Sequence, residues 1–197
     1  MISRILRTGA LCAASMIALF SGSVLANGSE DQAAQLEALK KAMEKYKDVY
    51  AAVHDGYWST VGCVHYDGKK MEGRVEYQKG AMGVHFVKGS LVGPNLDPLN
   101  PPVLIYQPVG EEFELVAVEY LVPLAAAKER PSIFGSDFQG PMEGHEPLIP
   151  QDFHHYDIHV WLVDNPYGQF APTNPNVKCD GYHHTLLEDP TKLVPAN

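Results

Sequence analysis

One stretch of the sequence, residues 115–122, is apolar at every position except the one that holds Glu119. Side chains alternate between the two faces of a strand, so this segment presents apolar side chains on both faces. Such a strand belongs in the interior, and its single carboxyl group is expected to be buried with it. An ionised carboxylate away from water is costly unless it is neutralised or meets a cation or hydrogen-bond donors. Glu119 is therefore the first candidate for a functional group.

Several short segments rich in Val, Tyr and Phe are separated by Gly, Pro and Asn, which is typical of strands joined by turns. We predict six strands, at residues 57–66, 73–77, 82–88, 103–107, 114–122 and 155–163. Before them, apolar residues recur at steps of three and four, as on one face of a helix: Leu36, Leu39, Met43, Tyr46, Tyr50 and Val53. The sequence thus predicts an α+β fold in which an N-terminal amphipathic helix packs on a curved, mainly antiparallel sheet, curled towards a barrel.

The first 26 residues have the three parts of a secretory signal peptide. Two arginines supply positive charge, residues 9–20 are almost wholly apolar, and small residues lead up to a cleavage position after Ala26. The apolar run is short for a membrane span, and no later run reaches the length that a transmembrane helix needs. We expect a mature protein that works in the periplasm or is secreted.

Removal of residues 1–26 leaves 171 of the 197 residues, a length that suits one domain. The formal net charge is −9, and loss of two arginines with the signal peptide takes it to −11. Nucleic acids and anionic membranes attract clustered Lys and Arg. We therefore predict a single globular domain over residues 27–197 that binds no nucleic acid and does not insert into a membrane.

Two cysteines, Cys63 and Cys179, remain after cleavage. In an oxidising compartment two cysteines favour a disulfide. The alternative is that both thiolates are metal ligands, but neither cysteine lies in the Cys-x-x-Cys spacing that is common in zinc sites. The sequence predicts a disulfide between them.

Two histidines, His85 and His159, resemble Glu119 in being placed within otherwise apolar strands. Two imidazoles and one carboxylate from separate strands make a three-ligand set with open coordination positions, which suits zinc, copper or iron. His155 and Asp157 fall on the same strand face as His159, because that face repeats every second residue. Either one can serve as a fourth ligand or as a partner that orients an imidazole.

Three interpretations of this set stay open: a transition-metal site, a metal-free pocket for a small ligand, and buried polar pairs with a structural role. The sequence has no nucleophile elbow and no phosphate or dinucleotide fingerprint. A catalytic metal would activate a bound water or a small substrate, with residues 123–150 as a lid. The rivals are a periplasmic binding or metal-handling protein without turnover and an envelope interaction protein. Enzymatic activity and catalytic residues are left open.

Four short segments of the chain are characteristic: Met82-Gly83-Val84-His85-Phe86, Val118-Glu119-Tyr120, His159-Val160-Trp161 and Asn165-Pro166-Tyr167-Gly168-Gln169-Phe170. With them, the chain resembles a group of exported bacterial proteins of uncharacterised activity. The resemblance covers most of residues 45–180. It implies that the two histidines and the glutamate belong together in one domain, and it assigns them no role.

Overall fold

The computed structural model of the chain describes residues 23–72, 74–144 and 149–187. The predicted signal peptide falls mostly on residues 1–22, which lie outside these ranges. The described chain begins with helix α1 (Ser23–Met43), followed by a 3-10 turn (Glu44–Lys47) and a short helix α2 (Val49–His54). None of the helices in the described ranges is both long enough and apolar enough to cross a membrane.

The rest of the described chain is built mainly of short strands joined by turns. They are β1 (Trp58–Tyr66), β2 (Lys70–Glu72), β3 (Val75–Tyr77), β4 (Gly80–Val87), β5 (Val103–Val109), β6 (Glu112–Pro123), β7 (Ser132–Ile133), β8 (Ser136–Asp137), β9 (Gln139–Met142), β10 (His155–Trp161) and β11 (Thr185–Leu187). Seven of them form one sheet in the order β11-β1-β4-β5-β6-β10-β9. Neighbouring strands pair antiparallel except β1 and β11, which are parallel.

The main sheet is strongly curved. Two strands separate β4 from β10, so a flat sheet would hold them about 14 Å apart. The rings of His85 in β4 and His159 in β10 nevertheless have centroids only 6.1 Å apart. In addition, β3, which pairs with β2 outside the main sheet, contacts the edge strand β9. The prediction of an α+β fold with a curved, mainly antiparallel sheet is confirmed, and the sheet curls into a half-barrel.

The helical segment packs on one face of this sheet. Leu39, Met43 and Tyr46 are buried against it. The Tyr106 hydroxyl of β5 donates a hydrogen bond to the backbone carbonyl of Tyr46 at 2.7 Å. This contact joins the sheet to the end of the helical segment, where the backbone carbonyls no longer have regular helical partners.

The predicted apolar stripe of the helix is buried only in part. Tyr50 is 79% exposed and Val53 is 39% exposed, so the expectation that they pack on the domain is wrong. The reason is a break at Asp48, whose backbone is extended (φ −86°, ψ 109°) and whose carboxylate accepts a hydrogen bond from the Tyr50 N–H. The break starts a new helix and changes which side chains face the sheet.

Strand β6 is buried on both faces, as its sequence indicated. Tyr120 faces the helical side, and its hydroxyl donates to the Pro98 carbonyl at 2.7 Å. Glu119 and Leu121 alternate with it and point to the concave face. A smaller apolar cluster lies on that side: Val64, Tyr66, Val75, Tyr77, Met82 and Met142.

Residues 123–150 are more ordered than the loop expected from the sequence. Their described part contains β7, β8 and β9, and β9 pairs with β10. The Arg130 guanidinium also donates to the carbonyls of Phe138 and Gly140 at 2.7 and 2.9 Å. These contacts attach the segment to the sheet, so its described part is integral to the fold.

Cys63 of β1 and Cys179 form a disulfide, as predicted, and both residues are buried. The alternative in which the two thiolates bind a metal is thereby excluded. The bond joins β1 to the C-terminal segment beside the point where Cys63 faces Thr185 of β11. The disulfide therefore fixes the edge of the sheet where β11, the last strand in the sequence, pairs with β1.

We expect the Cys63→Ala/Cys179→Ala double variant to be less stable than the oxidised protein. The bridge spans a sequence separation of 116, and cross-linking so long a loop restricts the unfolded chain. The chain-entropy argument gives an upper value of about 4–5 kcal/mol, and about 2–4 kcal/mol is typical. Equilibrium unfolding in denaturant measures the difference. Equal free energies of unfolding would contradict this role.

Candidate metal centre

Five ionisable side chains project from the concave face of the sheet and form what we call the polar cluster. They are His85 from β4, Glu119 from β6, and His155, Asp157 and His159 from β10. All are buried except His85, whose side chain is 12% exposed. Such groups lie inside a protein only when they are paired, neutralised or bound to a cation.

Strand register and curvature explain how these side chains meet. Glu119 lies directly opposite His159 in the antiparallel pairing of β6 with β10, and Asp157 lies opposite Leu121, one step along the same face. His85 comes from two strands away. Its Nε2 is 3.3 Å from Oε2 of Glu119, a distance that the curvature of the sheet makes possible.

The three residues predicted as a metal-ligand set come together. One ligand atom from each of His85, Glu119 and His159 lies within 4.8 Å of the others. The His159 ring is nearly parallel to the ring of Trp161, at 17° and with centroids 6.0 Å apart. Two imidazoles and a carboxylate at these separations form a donor set that transition metals accept.

A second group shares the same glutamate. Glu119, His155 and Asp157 also place one ligand atom each within 4.8 Å of one another. Nδ1 of His155 is 3.0 Å from the Phe153 carbonyl; because a carbonyl only accepts, Nδ1 carries the proton. Nε2 then faces Asp157, at 4.0 Å from its Oδ2. A backbone carbonyl that fixes the ring in this way is typical of metal-binding histidines.

His155 and Asp157 were predicted only as a fourth ligand or an orienting partner, whereas in the structure they form a second group with Glu119 whose ligand atoms also lie within 4.8 Å of one another. The alternation His155-x-Asp157-x-His159 was the available sign, because it places all three on one strand face.

Another buried acid, Glu143, was not singled out. It accepts a hydrogen bond from Nε2 of Gln151 at 2.8 Å, and this contact accounts for its burial.

The two carboxyl groups of the cluster interact directly. Burial raises the pKa of Glu119 well above its usual range, and the negative charge and hydrogen bond of Asp157 raise the pKa further. These effects favour the protonated form of the Glu119 carboxyl group relative to that of an exposed glutamate. A metal ion bound to Glu119 would take the place of that proton.

The cluster borders a small cavity of about 20 Å³. Its wall is formed by both polar and apolar side chains: Val64, Met82, His85, Val87, Val103, Glu119, Leu121, Ile149, His155 and Asp157. A volume of this size holds about one water molecule or ion. Larger clefts of about 430 and 440 Å³ lie on other parts of the surface and are not lined by any of the five cluster residues.

Comparisons of the chain with protein-family models, with curated proteins and with solved structures found no match. The resemblance to exported bacterial proteins stays a prediction, as does the single domain over residues 27–197.

We expect Glu119→Gln to change how the stability of the metal-free protein depends on pH. Because the pKa of Glu119 is raised in the folded state, the unfolded chain releases this proton at lower pH than the folded chain does. The glutamate therefore makes stability fall as pH rises from about 4.5 through the folded-state pKa, by at most about 1.4 kcal/mol per pH unit. Glutamine cannot ionise, so the variant lacks this loss.

Denaturant unfolding with a chelator, at about pH 5 and about pH 8, measures the effect. The stability of Glu119→Gln relative to the wild type should increase between the two conditions. Glu112→Gln, on an exposed position of the same strand, is the matched control. Parallel pH dependence of the wild type and Glu119→Gln would show that the buried carboxyl is not perturbed as described.

Proposed function

We propose that this chain is an exported metal-binding protein that holds a transition-metal ion through His85, Glu119 and His159. One observation carries the proposal: the three side chains come from three separate strands and converge within 4.8 Å in a buried site. Convergence of this kind requires specific register and curvature. The spacing is close to that of ligands around one ion, since metal–nitrogen and metal–oxygen bonds are about 2.0–2.2 Å.

The energetics of the polar cluster support a bound cation. Two carboxyl groups and three imidazoles are held against apolar walls, where ionised groups lose their hydration. A divalent ion interacts favourably with the carboxylates and with the imidazole lone pairs at the same time. A purely structural role explains less well why five such groups are gathered around one small cavity.

The donor atoms restrict the class of metal. The set consists of imidazole nitrogens and carboxylate oxygens, and the two described cysteines are joined in a disulfide. Imidazole with carboxylate suits zinc, copper and iron, whereas calcium and magnesium prefer all-oxygen sites. Zinc, copper or iron is therefore the proposed ligand.

The dimensions of the site favour binding over turnover. The cavity of about 20 Å³, which His85 and Glu119 of this set help to line, leaves room for an ion or a water molecule. An organic ligand or substrate needs a pocket of several hundred cubic ångströms. His155 and Asp157 further enclose the site with protein ligands. These features support metal handling more than catalysis or the binding of a small organic molecule.

Export is the second part of the proposal. The buried disulfide suits an oxidising compartment such as the periplasm or the extracellular space. The arrangement of residues 1–26 supports cleavage after Ala26. Intact mass of the protein recovered from the periplasm should correspond to a chain that starts at Asn27.

The metal proposal is tested by elemental analysis of untagged protein covering residues 27–197. We expect about one equivalent or more of zinc, copper or iron after reconstitution, and loss of about one equivalent in His85→Ala, because one ligand is removed. His54→Ala is the matched control, since the His54 side chain is 89% exposed. Absence of metal from the reconstituted wild type, or equal metal contents in the wild type and His85→Ala, would contradict the proposal.

A further inference from the structure

The two ligand groups of the polar cluster meet at a single residue. Glu119 belongs to the group with His85 and His159 and also to the group with His155 and Asp157. A carboxylate has two oxygens and can therefore bind two ions. Sites with two metals about 3.5–4 Å apart are a recurrent arrangement in proteins.

The geometry of β10 separates the two groups. His155 and His159 lie four residues apart on one face of an extended strand, so their backbones are about 13 Å apart. Ligand atoms bound to one ion lie within about 4 Å of one another, because each bond is about 2.0–2.2 Å. One ion therefore does not readily bind both imidazoles. His159 is grouped with His85 and Glu119, and His155 is grouped with Asp157 and Glu119.

Two further observations support an ion in the second group. The Phe153 carbonyl fixes the proton of His155 on Nδ1 and turns Nε2 towards the carboxyl groups. The cavity of about 20 Å³ is lined by His85, Glu119, His155 and Asp157 but not by His159. The available space thus lies between His85 and the second group, and it has the size of one ion or water molecule.

We infer that the polar cluster is a dinuclear metal centre in which the Glu119 carboxylate bridges two ions. One ion is bound by His85 and His159, and the other by His155 and Asp157. The inference rests on the proposed function, because it assigns a second ion to the same site. It changes the stoichiometry to two ions per chain and makes His155 and Asp157 metal ligands.

The test is a zinc titration of metal-free, untagged protein covering residues 27–197, with bound zinc measured after removal of excess metal. We expect two equivalents in the wild type and one in each of His155→Gln and Asp157→Asn. These substitutions preserve side-chain size, and their unfolding midpoints in chelator verify that they fold. His54→Gln is the control and should retain two equivalents.

A second measurement tests the bridge. When Cu²⁺ replaces zinc, two bridged ions couple magnetically, so the paramagnetic resonance signal should rise with the first equivalent and fall with the second. Two equivalents whose signals simply add would overturn the bridge. One equivalent in the wild type, kept in His155→Gln and lost in His85→Ala, would overturn the dinuclear centre but leave the proposed function standing. No bound metal in any protein would overturn both.

Discussion

The cost of burying ionisable groups in an apolar sheet governs the interior of this protein. Glu119 and Asp157 lie side by side with almost no exposure to water, and two like charges cannot remain ionised there without compensation. Protonation of one carboxyl group lowers this cost, and burial together with Asp157 accordingly raises the pKa of Glu119. Three imidazoles, those of His85, His155 and His159, adjoin the two carboxyl groups. The cluster thus calls for compensating positive charge, which a proton supplies and which a bound metal ion would also supply.

The fold creates this situation through curvature. Helical packing against one face leaves the other face to close on itself, and His85 reaches Glu119 across an intervening strand. Apolar side chains such as Val64, Met82 and Ile149 complete the wall of the cavity. The disulfide fixes the first strand of the sheet to the C-terminal segment, so the edge near Val64 is fixed as well. Stability of the half-barrel and order of the cluster are therefore linked.

Much of the fold could be predicted from the sequence because the main strands carry strong local patterns. The segment around Glu119 is apolar on both faces, and strand β10 alternates in a way that places three polar side chains together. Strands β7, β8 and β11 have only two or three residues each, too few for a periodic pattern. Strands β7 and β8 pair with each other across a tight turn, and β11 pairs with the distant strand β1. The helix break at Asp48 did have a local sign, since aspartate is a preferred helix N-cap, but the regular spacing of apolar residues concealed it.

The ligand set shows the same division between local and long-range information. The local sequence pattern was enough to predict that Glu119 is buried and that His85 and His159 lie in apolar strands. That His155 and Asp157 form a second group with Glu119 depends on register between β6 and β10 and on the orientation of the His155 ring at the Phe153 carbonyl. The register joins residues far apart in the chain, and local sequence patterns carry little information about it.

Anomalous diffraction from crystals of the metal-loaded protein, recorded at the absorption edge of the bound metal, tests the central claim most directly. The account predicts an anomalous peak within about 2.0–2.2 Å of ligand atoms of His85, Glu119 and His159. A crystal that contains the metal but shows its anomalous peaks only at the surface, with the polar cluster closed by hydrogen bonds alone, would contradict it.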